Sequence, residues 1–194
     1  MNPTPSPEVG GAITALVQGR HQQPHDLLGQ HLEPGGLRIR VLKPLAQSVQ
    51  VRFEDGVTLD LAHEAEGVWT AVRADAERTM DYRLAVAWAD GIEHVQDDPY
   101  RFAPTLGEVD LHLVNEGRHE LLWTVLGSRL HEYDGPMGPV KGVAFAVWAP
   151  RAKAVRVIGD FNDWDGRVHP MRMLGGSGVW ELFVPDVVVG NIYK

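Results

Sequence analysis

The chain has 194 residues, 44% hydrophobic and 23% charged, a globular composition that excludes a disordered or collagen-like polymer. Its 18 basic and 26 acidic residues leave a formal charge of −8, which argues against a duplex nucleic acid or an anionic membrane surface as partner. It has no cysteine, so disulfides, thiolate chemistry and Cys-based metal sites are excluded together. The length fits one large domain or two of roughly 100 residues. No apolar run is long enough for a transmembrane helix. The Pro-rich start, Met1 to Pro7, lacks the basic and apolar regions of a secretory signal, so the expected location is the cytoplasm. Six Trp outnumber five Phe and four Tyr. Core filling explains most such residues; flat stacking surfaces for sugars or bases are the functional alternative.

Ser6-Pro7-Glu8 is a helix start, an N-cap followed by proline at the first helical position. Val9, Ile13, Leu16 and Val17 then share one face, predicting a short helix over 7–18 closed by Gly19. Beyond it the period changes to two. Leu37, Ile39 and Val41, then Val49, Val51 and Phe53, then Val68, Thr70 and Val72, then Met80, Tyr82, Leu84 and Val86 define the inward faces of four expected strands. Asp97-Asp98-Pro99-Tyr100 reads as a turn. Leu121, Leu122, Val125 and Leu126 predict a helix over 116–126 ended by Gly127. Alternation returns with Val143, Phe145 and Val147, then Val155 and Val157, then Trp180, Leu182 and Val184.

An internal repeat organises these elements. Leu28 to Leu32 matches Leu126 to Leu130, and Leu37 to Pro44 matches Val143 to Pro150. Val49-Gln50-Val51 matches Val155-Arg156-Val157, Gly67-Val68-Trp69 matches Gly178-Val179-Trp180, and Tyr82-Arg83 matches Tyr193-Lys194. The fold expected is all-β, two immunoglobulin-like β-sandwiches in tandem with short connecting helices. The expected division is an N-terminal helix or arm over 1–23, a first sandwich over 24–104, a helical linker over 105–127 and a second sandwich over 128–194. The second copy stops where the first runs on through a strand to Ala89, so the chain reads as the front part of a longer polypeptide.

The residues alone point to no catalytic site. His21, His25 and His31 lack a metal-ligand spacing, and no Gly-x-Ser-x-Gly nucleophile elbow occurs. Gly175-Gly176-Ser177-Gly178 is not a phosphate loop and reads as a hairpin connection. Asp97-Asp98 and Asp163/Asp165 lie in turns, where Asp serves the backbone. Phe161-Asn162-Asp163-Trp164 differs, because a Trp at a loop tip after the strand Val155 to Ile158 needs something to dock against. Either Trp164 stacks a pyranose ring while Asn162 and a lysine bind its hydroxyls, or it plugs the end of the sandwich.

Gly159 to Gly166 (GDFNDWDG), followed by His169-Pro170-Met171, resembles the signature of the glycogen-branching-enzyme N-terminal module. Phe145 to Pro150 and Gly178 to Pro185 fit the same module. Asp98 to Phe102, Gly107 to Leu113 and Glu116 to His119 resemble the linker between the two N-terminal domains of the bacterial branching enzymes. The resemblance covers about residues 24–194. It implies the non-catalytic N-terminal part of a 1,4-α-glucan branching enzyme, a glycosyltransferase that cleaves α-1,4 bonds and forms α-1,6 branches through a retaining two-carboxylate mechanism in a C-terminal (β/α)₈ barrel. No catalytic residue, cofactor or metal of that reaction is implied for this chain. The implied partners are α-glucans, namely glycogen, amylose and maltooligosaccharides, and the catalytic barrel of the same polypeptide. The glycogen-binding module of the AMP-activated kinase β subunit is similar around the FNxW box and implies sugar contacts at Trp164 and Lys194, with Asn162 beside them. An independent glucan-binding or scaffold protein is the alternative reading.

Overall fold

The computed structural model describes residues 6–194. Helix α1, Pro7–Val17, forms as its sequence predicts: the Ser6 side chain accepts a hydrogen bond from the Val9 N–H, and Pro7 opens the first turn. Its apolar stripe buries Ile13 and Leu16. Its C-terminal carbonyls, which have no intrahelical donors, receive a guanidinium. Arg156 Nη2 donates to Leu16 O at 2.7 Å and to Val17 O at 3.0 Å.

Seven antiparallel strands follow: β1 (Gly29–Glu33), β2 (Gly36–Leu42), β3 (Ser48–Phe53), β4 (Thr58–Ala65), β5 (Val68–Arg73), β6 (Tyr82–Ala87) and β7 (Glu93–Gln96). They hydrogen-bond in the order β1-β2-β5-β4-β3-β6-β7. β4 is the corner. Its first half pairs with β3, its second half pairs with β5, and the register shifts between His63 and Ala65. The sheet thereby folds over on itself. Leu37, Ile39 and Val41 of β2 then face Val49, Val51 and Phe53 of β3 and Tyr82, Leu84 and Val86 of β6 in one core.

The phase of β5 differs from the alternation expected. β2 sets it, because Leu37, Ile39 and Val41 pair with Arg73, Ala71 and Trp69, and cross-strand partners share a face. Trp69 and Ala71 therefore pack on the sandwich core, and the Arg73 guanidinium lies 4.9 Å over the Phe53 ring. Val72 is left exposed, and Val68 joins a separate cluster at the junction with the second module.

The linker also departs from expectation. The helix is α2, Glu108–Asn115, and not 116–126. Gly117, at φ 66°, ends it in a Schellman arrangement: Arg118 N–H donates to Leu113 O and Gly117 N–H to Val114 O. Residues 122–124 form only a 3₁₀ turn, and Gly127 opens a strand instead of closing a helix. The apolar run over 121–126 misled because only Val125 is buried, against Ala146, Leu174 and Val179.

The second module contains β8 (Gly127–Tyr133), β9 (Val140–Trp148), β10 (Arg172–Met173) and β11 (Val179–Pro185), in the order β10-β11-β9-β8. This repeats the order β4-β5-β2-β1 of the first module, and the repeat extends to single contacts. Lys43 N–H donates to Gly67 O, and Ala149 N–H donates to Gly178 O. The Trp69 indole donates to Lys43 O and the Trp180 indole to Ala149 O, both at 3.0 Å. A Cβ on Gly67 would meet Pro44 Cα at 2.5 Å, and one on Gly178 would meet Pro150 Cα at 2.7 Å. Close backbone approach at a positive φ thus requires glycine at the same place in both copies.

The opposite sheet of the second module is reduced to two bridges, Arg156↔Pro170 and Gly159↔Tyr193. They occupy the places of the β3–β4 and β3–β6 pairs. The strand expected at Val155 and Val157 is a single ladder rung, in which Val157 N–H donates to His169 O and Met171 N–H to Val155 O. The one continuous sheet is buried on both faces, which explains why β11 is buried at every position. Val143, Phe145, Trp180, Leu182 and Val184 pack with Ile13, Leu16 and Leu28, whereas Val140, Ala144 and Phe183 pack with Phe102 of the linker.

Candidate functional site

The loop after Ile158 stands where the first module has the short β3–β4 turn. Gly159 starts it. A Cβ there would lie 2.4 Å from Ile192 O and 2.7 Å from Phe161 Cε1, so the close approach of chain 192–194 demands glycine. Phe161 anchors the loop by stacking on Phe145 at 5.6 Å between ring centroids. Asp163 and Trp164 are then consecutive non-glycine residues at φ 52° and 59°, a conformation that costs energy unless neighbours impose it. The neighbours are backbone bonds: Trp164 N–H donates to Gly159 O at 3.0 Å and Asp165 N–H to Asn162 O at 2.9 Å.

Asn162 is consumed in building this turn. Its Oδ1 accepts from Gly159 N–H at 2.9 Å, and its Nδ2 donates to Val157 O at 3.1 Å and His169 Nδ1 at 2.9 Å. Both amide protons are thereby committed. Because Asn162 donates to it, His169 Nδ1 must be unprotonated. Burial, with a smaller contribution from the nearby Lys43 charge, pushes the His169 pKa down to about 3, so this acceptor persists at neutral pH.

Trp164 itself is 45% exposed. Its indole N–H donates to Asp160 Oδ1 at 3.1 Å. The other oxygen of Asp160 accepts from Ile192 N–H at 2.8 Å. Lys194 lies at the base of the same loop, with reciprocal backbone bonds to Ile158 of 2.8 and 3.0 Å, and its side chain is exposed. Asp160 thus ties the Trp164 ring to the segment that carries Lys194. Neither Asp160 nor His169 was singled out by sequence reasoning, although both lie in the motif that carried the resemblance; their roles depend on which partners the fold brings to them. Behind the loop, toward the first module, a cleft of about 930 Å³ is lined in part by Asn162 but by neither Trp164 nor Lys194.

One buried ion pair holds the linker to the module that bears this loop. Glu181, fully buried in β11, accepts from Arg172 Nη2 at 3.1 Å, and its other oxygen accepts from Thr105 N–H and Oγ1–H, each at 2.6 Å. Arg172 also donates to Phe102 O at 3.1 Å. Sequence reasoning missed this pair, because Glu181 reads as the polar position of an alternating strand.

Residues 126–194 match carbohydrate-binding module 48 (isoamylase N-terminal domain), so the second module is a carbohydrate-binding module of that class. Residues 10–100 match the N-terminal domain of alpha-1,4-glucan branching enzyme GlgB. The chain is 54% identical over 175 residues to the 1,4-alpha-glucan branching enzyme GlgB of Thermobifida fusca, covering 90% of this chain and 23% of that protein. It is 51% identical over 182 residues to that of Rhodococcus jostii, covering 94% of this chain and 25% of that protein. With the Myxococcus xanthus enzyme the identity is 43% over 192 residues, 99% of this chain and 26% of the relative. The chain is thus similar to 1,4-α-glucan branching enzymes over nearly all of its length, with residues 10–100 matching their N-terminal domain and residues 126–194 matching the carbohydrate-binding module. It spans about a quarter of the length of these relatives. Among the described residues no helix is long and apolar enough to cross a membrane.

Proposed function

We propose that this chain is the non-catalytic, glucan-binding N-terminal part of a 1,4-α-glucan branching enzyme, acting in the cytoplasm on glycogen-type α-1,4 chains. The parent reaction is cleavage of an α-1,4 bond and transfer of the chain to a 6-hydroxyl, performed by a C-terminal catalytic barrel of the same polypeptide. In this reading Trp164 stacks a glucosyl ring, the Lys194 ammonium donates to its hydroxyls, and Asn162 acts by holding the turn that presents Trp164. Residues 24–104 and 128–194 are the two sandwich modules, with 1–23 and 105–127 as arm and linker.

The observation that carries the reading is the presentation of Trp164. A large apolar ring, half-exposed and held in a left-handed conformation by six surrounding hydrogen bonds, is pre-organised to meet a ligand. Stacking with a few hydroxyl bonds should give a Kd of roughly 0.1–1 mM for maltoheptaose. Trp164→Ala is expected to weaken that binding roughly tenfold or more in a calorimetric titration while leaving the melting temperature nearly unchanged. A loss of roughly 3–5 kcal/mol of stability would instead mark Trp164 as a packing residue.

A further inference from the structure

The cleft behind the Trp164 loop has its own chemistry. One wall belongs to the first module, where Trp88 lies half-buried with His94 edge-on at 5.5 Å. The indoles of Trp69, Trp164 and Trp180 each donate to a protein oxygen; that of Trp88 has no acceptor among the described residues. The facing wall belongs to the second module and carries Asp163, Asp165 and Arg167. Arg167 chelates Asp165 through Nε and Nη2, at 3.0 and 2.7 Å. The Asp163 carboxylate has no hydrogen-bond or ion-pair partner among the described residues. At the back, Lys43 Nζ gives one hydrogen bond to Gln96 Oε1 at 2.8 Å, which leaves two of its three protons uncommitted.

Charge and polarity decide what fits. The lining holds two basic side chains, Lys43 and Arg167, and three acidic ones, Asp98, Asp163 and Asp165, while burial keeps His169 neutral. An anionic ligand finds no net attraction there, and a wholly apolar one would strand Lys43 and Asp163 without partners. An indole face beside free donors and free acceptors suits a neutral polyhydroxyl ring, whose C–H face stacks while adjacent hydroxyls both donate and accept. The volume lies within the range of small-ligand sites.

We propose that this cleft is a second α-glucan site, separate from the Trp164 face, in which glucosyl units stack on Trp88 and are hydrogen-bonded by Lys43 and Asp163. The proposal rests on the reading of the chain as glucan-binding. The two successive left-handed residues make one turn serve both sites: Asp163 lines the cleft, and Trp164 stands outside it. Glucan in the cleft touches Trp88, just after β6, and β7 of one module and the loop of the other, so it ties the modules together.

The test is an NMR titration of the tryptophan indole N–H signals of the 194-residue chain with maltoheptaose, in wild type and in Trp164→Ala. The Trp88 signal is expected to shift in both. In the Trp164→Ala background, adding Trp88→Ala or Asp163→Gly should weaken the remaining affinity roughly tenfold or more. Asp163→Gly keeps the positive φ and removes no core contact, so it decides the matter should Trp88→Ala fail to fold. A Trp164 signal that responds while Trp88 does not, or an unchanged residual affinity in Asp163→Gly, overturns the second site and leaves the glucan reading intact. No response of any signal to maltoheptaose overturns both.

Discussion

Glu181 and its partners concentrate more polar interaction than any surface pair in the chain. A buried carboxylate with a single guanidinium and two donors from Thr105 has no water to fall back on, so removing one partner leaves the others desolvated and unpaired. Glu181→Ala is expected to lose about 3–5 kcal/mol in denaturant unfolding, whereas Arg78→Ala, which breaks an exposed ion pair with Glu54, should lose less than about 1 kcal/mol. The comparison separates a pair that positions the linker from one that decorates the surface.

Two histidines make stability depend on pH. Burial, then the Arg172 and His31 charges, push His25 down to about 3. Its two ring nitrogens have no hydrogen-bond partners among the described residues, and its ring packs edge-on against Tyr100. His169 is pushed to about 3 as well. The unfolded chain protonates both near pH 6.5 and the folded one does not, so their stabilisation is full above about 6.5 and is lost as pH falls toward 3. Each site contributes a slope of about 1.4 kcal/mol per pH unit in that window. Urea midpoints recorded from pH 7 to 4 should fall steeply, and His25→Phe should flatten part of the fall.

At the scale of elements, α1 shows how a helix legible in sequence acquires its place from elsewhere. Ser6, Pro7 and the stripe through Ile13 and Leu16 predict the helix, and the structure bears this out over Pro7–Val17. Nothing in that stretch points to Arg156, which lies some 140 residues away and caps the last carbonyls. Arg156→Ala should cost about 1–3 kcal/mol and, in hydrogen exchange, deprotect the amides of α1 before those of the sheets. Equal protection would mean that burial of Ile13 and Leu16 alone holds the helix. The linker teaches the converse. Its apolar residues at 121–126 carry a helical spacing, but Gly117 had already ended the helix upstream, and local backbone chemistry outweighed the pattern.

For the whole molecule, the duplication predicts two similar modules, yet their finish differs: seven strands folded into a sandwich in one, and a four-stranded sheet with two bridges in the other. Of the three carboxylates that line the cleft, Asp98 accepts from Tyr82 Oη–H and Tyr100 N–H and Asp165 is chelated by Arg167, which leaves Asp163 alone where glycoside chemistry needs two acids. Incubated with amylose, the 194-residue chain is expected to form no new α-1,6 linkages by NMR; linkages above a blank would overturn the non-catalytic reading. The all-β class, the repeat, α1 and the FNxW loop were all readable in sequence, because each follows from short-range period, from capping chemistry or from a contiguous motif. The phase of β5, the Glu181–Arg172 pair, the capping of α1 by Arg156 and the cleft between Trp88 and Asp163 were not. Each depends on which residues from distant parts of the chain share a face, and strand register and module docking, which decide that, exist only once the chain has folded.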